Sequence, residues 1–286
     1  MKNIVWLASY PKSGNTWFRM FLANYKANTS EPQKLEDIES TPISSNAVDF
    51  EEEIGLNPFE MYKDEVDLYR PDLYRILSEK YEETGEDCYK KTHDAYTLTK
   101  EGVPMFPADI SKCAVYFVRN PLDVCVSYAN HSAGKIEKTI KLMLNEQGFI
   151  AGKKQGQLRQ ILMSWESHVQ SWKNQSEIPV HLVRYEDMLQ KTTETFGNII
   201  RFLGLEYDKE RLNRAIINCS FKTLRQMEQE TGFKERIHES QQFFWKGKIG
   251  NYRDFLTKEQ IQQIIEYNYD TMKEFGYIDK NNGLTV

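Results

Sequence analysis

The chain has 286 residues, enough for one large α/β domain or two small ones with a sizeable buried core. Its 37 Lys and Arg against 42 Asp and Glu leave a net charge of −5, which argues against a nucleic-acid binder with a broad basic face. Cys88, Cys113, Cys125 and Cys219 show neither C-x-x-C nor metal-ligand spacing and are expected as buried free thiols in a reducing compartment. The amino end enters a strand with no leader pattern, and no run reaches the roughly 18 apolar residues of a membrane span, so a soluble cytoplasmic protein without membrane insertion is expected.

In chain order, the apolar run Ile4 to Ala8 predicts a strand over about 3–8, and Trp17, Met20, Phe21 and Tyr25 place an apolar stripe on a helix over about 16–27. Between them lies Tyr10-Pro11-Lys12-Ser13-Gly14-Asn15-Thr16-Trp17. A strand, a tight turn of small and hydroxylated residues with one lysine, and then a helix is how α/β proteins grip an anion. Helix N-termini leave backbone N–H groups unpaired and carry partial positive charge. Ser13, Asn15 and Thr16 can add donors, Lys12 adds a full charge, and Gly14 lets the backbone approach closely. This is not the nucleoside-triphosphate loop G-x-x-x-x-G-K-[ST], because Lys12 precedes Gly14 and no second glycine is present. The expected ligand is a phosphate or a sulfate.

Acidic residues concentrate between Glu31 and Glu86. Residues 29–57, broken by Pro32 and Pro42, read as an acidic surface excursion, followed by helical pieces near 58–64 and 71–83. A short strand at 87–91 leads into Thr92-His93-Asp94. Ala114 to Val118 predicts a buried strand, with Asn120 as N-cap and Pro121 at the first position of a helix running to about Ala129. Gly134, Gly148, Gly152 and Gly156 among many lysines suit a mobile lid over 132–157, with a second lid over 230–245. Helices are expected over 158–174, 186–203, 208–217, 220–230 and 258–275, and a strand over 180–183. Strands alternating with helices argue for an α/β fold in a single domain over 1–286: a mainly parallel central sheet flanked by helices, a P-loop-like first turn, and a site at the carboxyl ends of the strands.

Five segments, in order and in register, resemble the sulfotransferases that use 3′-phosphoadenosine 5′-phosphosulfate (PAPS) and leave its 3′,5′-bisphosphate (PAP). Residues 10–17 resemble their 5′-phosphosulfate loop. Arg119 to Tyr128 is similar to their 3′-phosphate strand and helix, and Lys246-Gly247-Lys248-Ile249-Gly250 to their late Lys-Gly-x-x-Gly segment. Lys91-Thr92-His93 and Arg184-Tyr185-Glu186-Asp187-Met188 match two further landmarks. The Asn218-Cys219-Ser220-Phe221 segment is similar to bacterial members, including some that modify glycopeptides.

The resemblance implies a role for each matched residue. Lys12, Ser13, Gly14, Asn15, Thr16 and Trp17 hold the phosphosulfate. Arg119, Ser127, Lys246 and Gly247 hold the 3′-phosphate, Trp17 and Phe221 sandwich adenine, and Tyr185 and Cys219 lie on the nucleotide side. Taken singly, Arg119 also fits an ordinary ion pair, Ser127 a packing residue, and Trp17, Phe221 and Tyr185 the core. Trp245 stands where many relatives carry an arginine, so the 3′-phosphate would have one cation fewer.

His93 is then the expected general base and Lys91, two residues earlier and on the same side of a strand, the cation for the sulfuryl oxygens. No metal is implied. Tyr96, Phe149, Phe243, Phe244 and Trp245 favour a small apolar acceptor, a phenol or sterol-like alcohol, with a hydroxyl preferred over an amine. A peptide-like natural product, a non-catalytic nucleotide binder and a kinase-like transferase are the alternatives.

Overall fold

The computed structural model describes residues 2–150, 156–236 and 242–285. Its elements in chain order are β1 (Ile4–Ser9), α1 (Asn15–Ala27), α2 (Ala47–Ile54), α3 (Lys63–Glu82), β2 (Cys88–Thr92), β3 (Ser111–Val118), α4 (Pro121–His131), α5 (Ile136–Met143), β4 (Phe149–Ile150), β5 (Gln160–Ile161), α6 (Trp165–Asn174), β6 (Val180–Arg184), α7 (Tyr185–Gln190), α8 (Thr192–Phe202), α9 (Lys209–Asn218), α10 (Phe221–Thr231) and α11 (Lys258–Glu274). The central sheet is mainly parallel, flanked by helices, and ordered β2-β1-β3-β6. β1 and β2 pair in parallel from Ile4 with Cys88 to Ala8 with Thr92. Every residue of β1 is buried, as expected where helices cover both faces of a sheet.

Two compact units divide the chain. The first comprises Met1–Tyr10, Thr41–Tyr116 and Asn145–Leu182, and the second Pro11–Ser40, Phe117–Leu144 and Val183–Val286. The first unit is centred on Trp6, whose ring packs edge-on to Tyr74 and Phe106 and whose Nε1 donates to Ser111 Oγ at 2.8 Å. In the second, Phe18, Phe21 and Phe196 form an aromatic cluster that fixes α1. Each sheet strand is followed in the chain by a candidate residue: β1 by the 10–17 turn, β2 by His93, β3 by Arg119 and β6 by Tyr185.

Several boundaries differ from the sequence expectation, for identifiable reasons. Residues 58–62 are not helical. Instead α3 begins at Lys63, where Tyr62 N donates to Glu65 Oε2 at 3.1 Å, and runs on through Pro71. Residues 158–163 are not helical either. Gln160 and Ile161 pair antiparallel with Phe149 and Ile150, and Met163 takes a left-handed φ of 57°, so α6 starts only after the Ser164 cap. The expected 186–203 helix breaks at Lys191 (φ −133°, ψ 44°) into α7 and α8. The 29–57 excursion is not all surface. Leu35, Ile38 and Phe50 are buried, Ser44 N donates to Lys91 O at 2.7 Å, and Lys91 N donates to Pro42 O at 2.9 Å. The second lid expectation reaches into 237–241 and the first into 151–155, which lie outside the described residues. All four cysteines are buried and free. No described helix is long and apolar enough to cross a membrane.

Candidate functional site

In the second unit the turn after β1 is set by two left-handed residues, Lys12 at φ 68° and Gly14 at φ 99°. A left-handed lysine is strained by about 1–3 kcal/mol and needs an anchor. Arg119 supplies it, Nη1 donating to Lys12 O at 3.0 Å while Nη2 reaches Lys248 O at 3.4 Å. Gly14 is required for a second reason. A Cβ there would sit 2.7 Å from Cδ2 of Tyr185, so the Tyr185 ring is the floor on which the turn rests. The same ring lies 4.3 Å from the Arg119 guanidinium, which is nearly buried and bonds carbonyls rather than a carboxylate. Burial pushes the Tyr185 phenol up, with Arg119 opposing the shift.

Four buried donors of this unit, Ser13 Oγ, Arg119 Nε, Asn120 Nδ2 and Arg184 Nε, have no hydrogen-bond partner among the described residues. A buried polar atom of this kind calls for a ligand or solvent. Ser13 and Arg119 lie in the two segments expected to hold the two anions of PAPS. Helix α1 starts directly after this turn, at a Gly14 cap that makes no side-chain bond, and a helix N-terminus favours an anion. The donor set therefore fits a nucleotide with separated phosphate groups.

The other residues expected at the nucleotide lie in the same unit. Trp17 Nε1 donates to Cys219 O at 3.0 Å, tying α1 to the segment just before Phe221. The Cys219 thiol, pushed up to about 12 by burial, stays protonated and contributes its backbone. A Cβ at Gly247 would meet Phe221 Cδ2 at 2.5 Å, so only glycine allows the late segment to lie against that ring. Half-buried Trp17 makes T-shaped contacts with Phe196 and Tyr185. Lys246 Nζ stands 3.8 Å from Asp254 and 4.4 Å from the Phe255 ring, on which Trp245 also packs. Ser127 is half-buried on α4.

Sequence reasoning missed three carboxylates that build this region. Asp123 accepts from Gly250 N at 2.8 Å and Tyr252 N at 3.0 Å, which pins the Lys246–Gly250 segment to α4. Glu186 accepts from Asn120 N at 3.1 Å and Tyr277 OH at 3.0 Å, and burial pushes its carboxyl up. Glu235 accepts from Thr16 Oγ1 at 2.8 Å and Arg19 Nη1 at 2.5 Å, so a carboxylate occupies one of the anion-loop hydroxyls. Lys12 Nζ lies 3.6 Å above the Phe243 ring, which packs on Phe233 and Phe244. Asp123 follows the Asn-Pro cap by two residues, a local signal, whereas Glu235 contacts residues more than 200 positions away and left none.

In the first unit His93 follows β2 and Lys91 is buried within it. His93 Nδ1 lies 2.8 Å from Ser9 O. A carbonyl only accepts, so Nδ1 carries the proton and the lone pair is on Nε2, the arrangement a general base requires. Ser9 precedes Lys12 in the chain by three residues. Half-buried Tyr96 packs against Phe106 and Trp172, and Phe149 is exposed beside Lys63.

The family model described as Sulfotransferase domain matches residues 2–276. Among curated proteins the chain is 28% identical to flavonol 3-sulfotransferase of Flaveria bidentis, over 92% of this chain and 79% of the relative. It is 25% identical to cytosolic sulfotransferase 1 of Arabidopsis thaliana, over 91% and 76%. Among solved structures, mouse sulfotransferase SULT7A1 complexed with PAP superposes with a TM-score of 0.60 at 19% identity, covering 96% of this chain and 84% of that one. Retinol dehydratase in complex with androsterone and PAP gives 0.59 at 19% identity, covering 97% and 83%.

Proposed function

Because the chain belongs to the Sulfotransferase domain family, we propose that it transfers the sulfo group of PAPS to a hydroxyl of a small apolar acceptor. The observation that carries this is the gathering of residues 12–17, 119, 185, 219–221 and 247 in one unit, with Ser13 Oγ and Arg119 Nε buried and without a hydrogen-bond partner among the described residues. PAP bound to fold neighbours supports the same donor. We read the chain as one catalytic domain, matching the span of the family model.

In this reading the acceptor O–H oxygen attacks the sulfur of PAPS in line. The bond from sulfur to the bridging 5′-phosphate oxygen breaks, its electron pair stays on PAP, and His93 Nε2 takes the acceptor proton. Lys12, released from the face of Phe243, neutralises the bridging oxygen, and the N–H groups and hydroxyls of residues 13–16 hold the phosphosulfate oxygens. Lys91 steadies the transferring sulfuryl oxygens. Arg119, Ser127, Lys246 and the Gly247 N–H bind the 3′-phosphate, with Trp245 in place of a further cation. Trp17 and Phe221 flank the adenine, and Tyr185 and Cys219 shape that side of the pocket. Positioning plus charge stabilisation suffices for this chemistry, so no metal step is invoked. The aromatic group Phe233, Phe243 and Phe244 and the flavonol-sulfating relative support an apolar hydroxyl acceptor. The test is incubation with sulfur-labelled PAPS and a panel of a phenol, a sterol alcohol, an alkyl amine and a peptide-like phenol, with products read by mass. Sulfated phenol or sterol is expected. Sulfation confined to the amine or the peptide would contradict the acceptor class, and labelled phosphate transfer from ATP would contradict the donor.

A further inference from the structure

The residue after His93 is a fully buried aspartate, two positions past the end of β2. Asp94 Oδ2 accepts from Arg70 Nη2 at 2.6 Å and Oδ1 from Arg70 Nη1 at 3.0 Å, a bidentate pair with both side chains shielded from solvent. Oδ1 also accepts from Ile161 N at 2.8 Å, and Asp94 N donates to Thr92 Oγ1 at 3.1 Å. Trp172 Nε1 donates to Asp94 O at 2.9 Å, and Ala95 N to Ile161 O at 2.7 Å. On the other side, His168 Nε2 donates to His93 O at 3.0 Å while its Nδ1 accepts from Tyr116 OH at 2.8 Å. The backbone of residues 93–95 is therefore gripped by α3, β5 and α6 at once, although it belongs to no strand or helix. A buried ion pair is weak evidence for stability, because desolvation offsets most of the attraction. Its use here is geometric. A bidentate guanidinium fixes direction as well as distance, and the group it fixes is the immediate neighbour of the imidazole.

We propose that the Arg70–Asp94 pair is a positioning device for His93, holding its backbone so that Nδ1 meets Ser9 O and Nε2 is presented to the acceptor. This rests on the reading of His93 as the base. Arg159, which bonds Asp67 and Asp64 and whose carbonyl accepts from Arg70 Nη1 at 3.2 Å, extends the same grip to the segment entering β5.

The test combines turnover of an acceptor found above with nitrogen NMR of the His93 ring, which needs no acceptor. Asp94→Asn is expected to lower kcat by about 10–100-fold, the cost of misplacing a reacting group by an ångström or less. PAP affinity and KM for PAPS should stay within about twofold. The His93 ring should pass from a single Nδ1–H tautomer to a mixture. In a His93→Ala background, Asp94→Asn should lower the residual rate by no more than about twofold, because it acts through the missing ring. If Asp94→Asn does not fold, the pair variant Arg70→Met with Asp94→Asn, which leaves no unpaired buried charge, carries the same expectations. Unchanged kcat and an unchanged His93 tautomer in the variant that folds would overturn the proposal, as would an equal drop with and without His93. A fully active His93→Ala protein would instead overturn the reading of the base on which the proposal rests.

Discussion

Ser13 Oγ and Arg119 Nε are buried in the second unit with no hydrogen-bond partner among the described residues, whereas in the first every polar atom of Asp94 is already bonded within the protein. On the proposed reading, those donors await the anions of the nucleotide. The aspartate beside His93 is fully bonded, which on the same reading aims the base before the acceptor binds. Both arrangements depend on backbone: Lys12 is held left-handed by a guanidinium on its carbonyl, and His93 by an imidazole on its carbonyl.

The largest effect should come from the region around His93. His93→Ala is expected to lower turnover by about 10²–10⁴-fold while PAP binding is retained, measured by product formation and calorimetry. Loss of PAP binding would show that the ring supports the nucleotide region instead. Next is acid stability. Burial lowers His168 to about 4, so the folded protein keeps it neutral while the unfolded chain protonates near pH 6.5. Its contribution is fully present above pH 6.5 and is lost as pH falls from 6.5 to about 4, up to about 3 kcal/mol. His168→Gln, which keeps a donor for His93 O, should flatten that limb in urea unfolding at stepped pH. An unchanged limb would mean that His168 is not buried neutral. The smallest effect belongs to the nucleotide region. Glu235 competes for the Thr16 hydroxyl, so Glu235→Gln should tighten PAP binding by about two- to fivefold, the scale of a partly exposed charge contact. Weaker binding would show that Glu235 builds the site rather than blocking it.

What the sequence made legible follows the same division. The anion turn, the Asn120-Pro121 helix start and the late Lys-Gly segment are local, with chemistry and spacing inside a dozen residues. In the structure Arg119 bonds the carbonyls of Lys12 and Lys248, and α4 starts at Pro121 behind the Asn120 cap. Contacts across long separations were hidden. Arg70 and Asp94 are 24 residues apart, and the helical piece expected over 71–83 left Arg70 outside it. Its bonds to Asp94 and Tyr74, with Leu73 and Leu77 buried, hold α3 helical through Pro71 against the lost backbone bond. The helix expected from 158 failed for a like reason. The apolar spacing of Leu158, Leu162 and Trp165 is real and all three are buried, but Asp94 draws Ile161 into an extended pair.

The central claim is that the second unit binds a nucleotide carrying phosphates at both ends of its ribose. Calorimetric titration of the protein with PAP and with 5′-AMP, repeated on Arg119→Ala, tests it most directly. The claim predicts that PAP binds at least about tenfold more tightly than 5′-AMP, since charge-assisted bonds to the 3′-phosphate are worth about 1.5–3 kcal/mol, and that Arg119→Ala erases most of that preference. Equal affinity for the two nucleotides, or a preference that survives in Arg119→Ala, would contradict it.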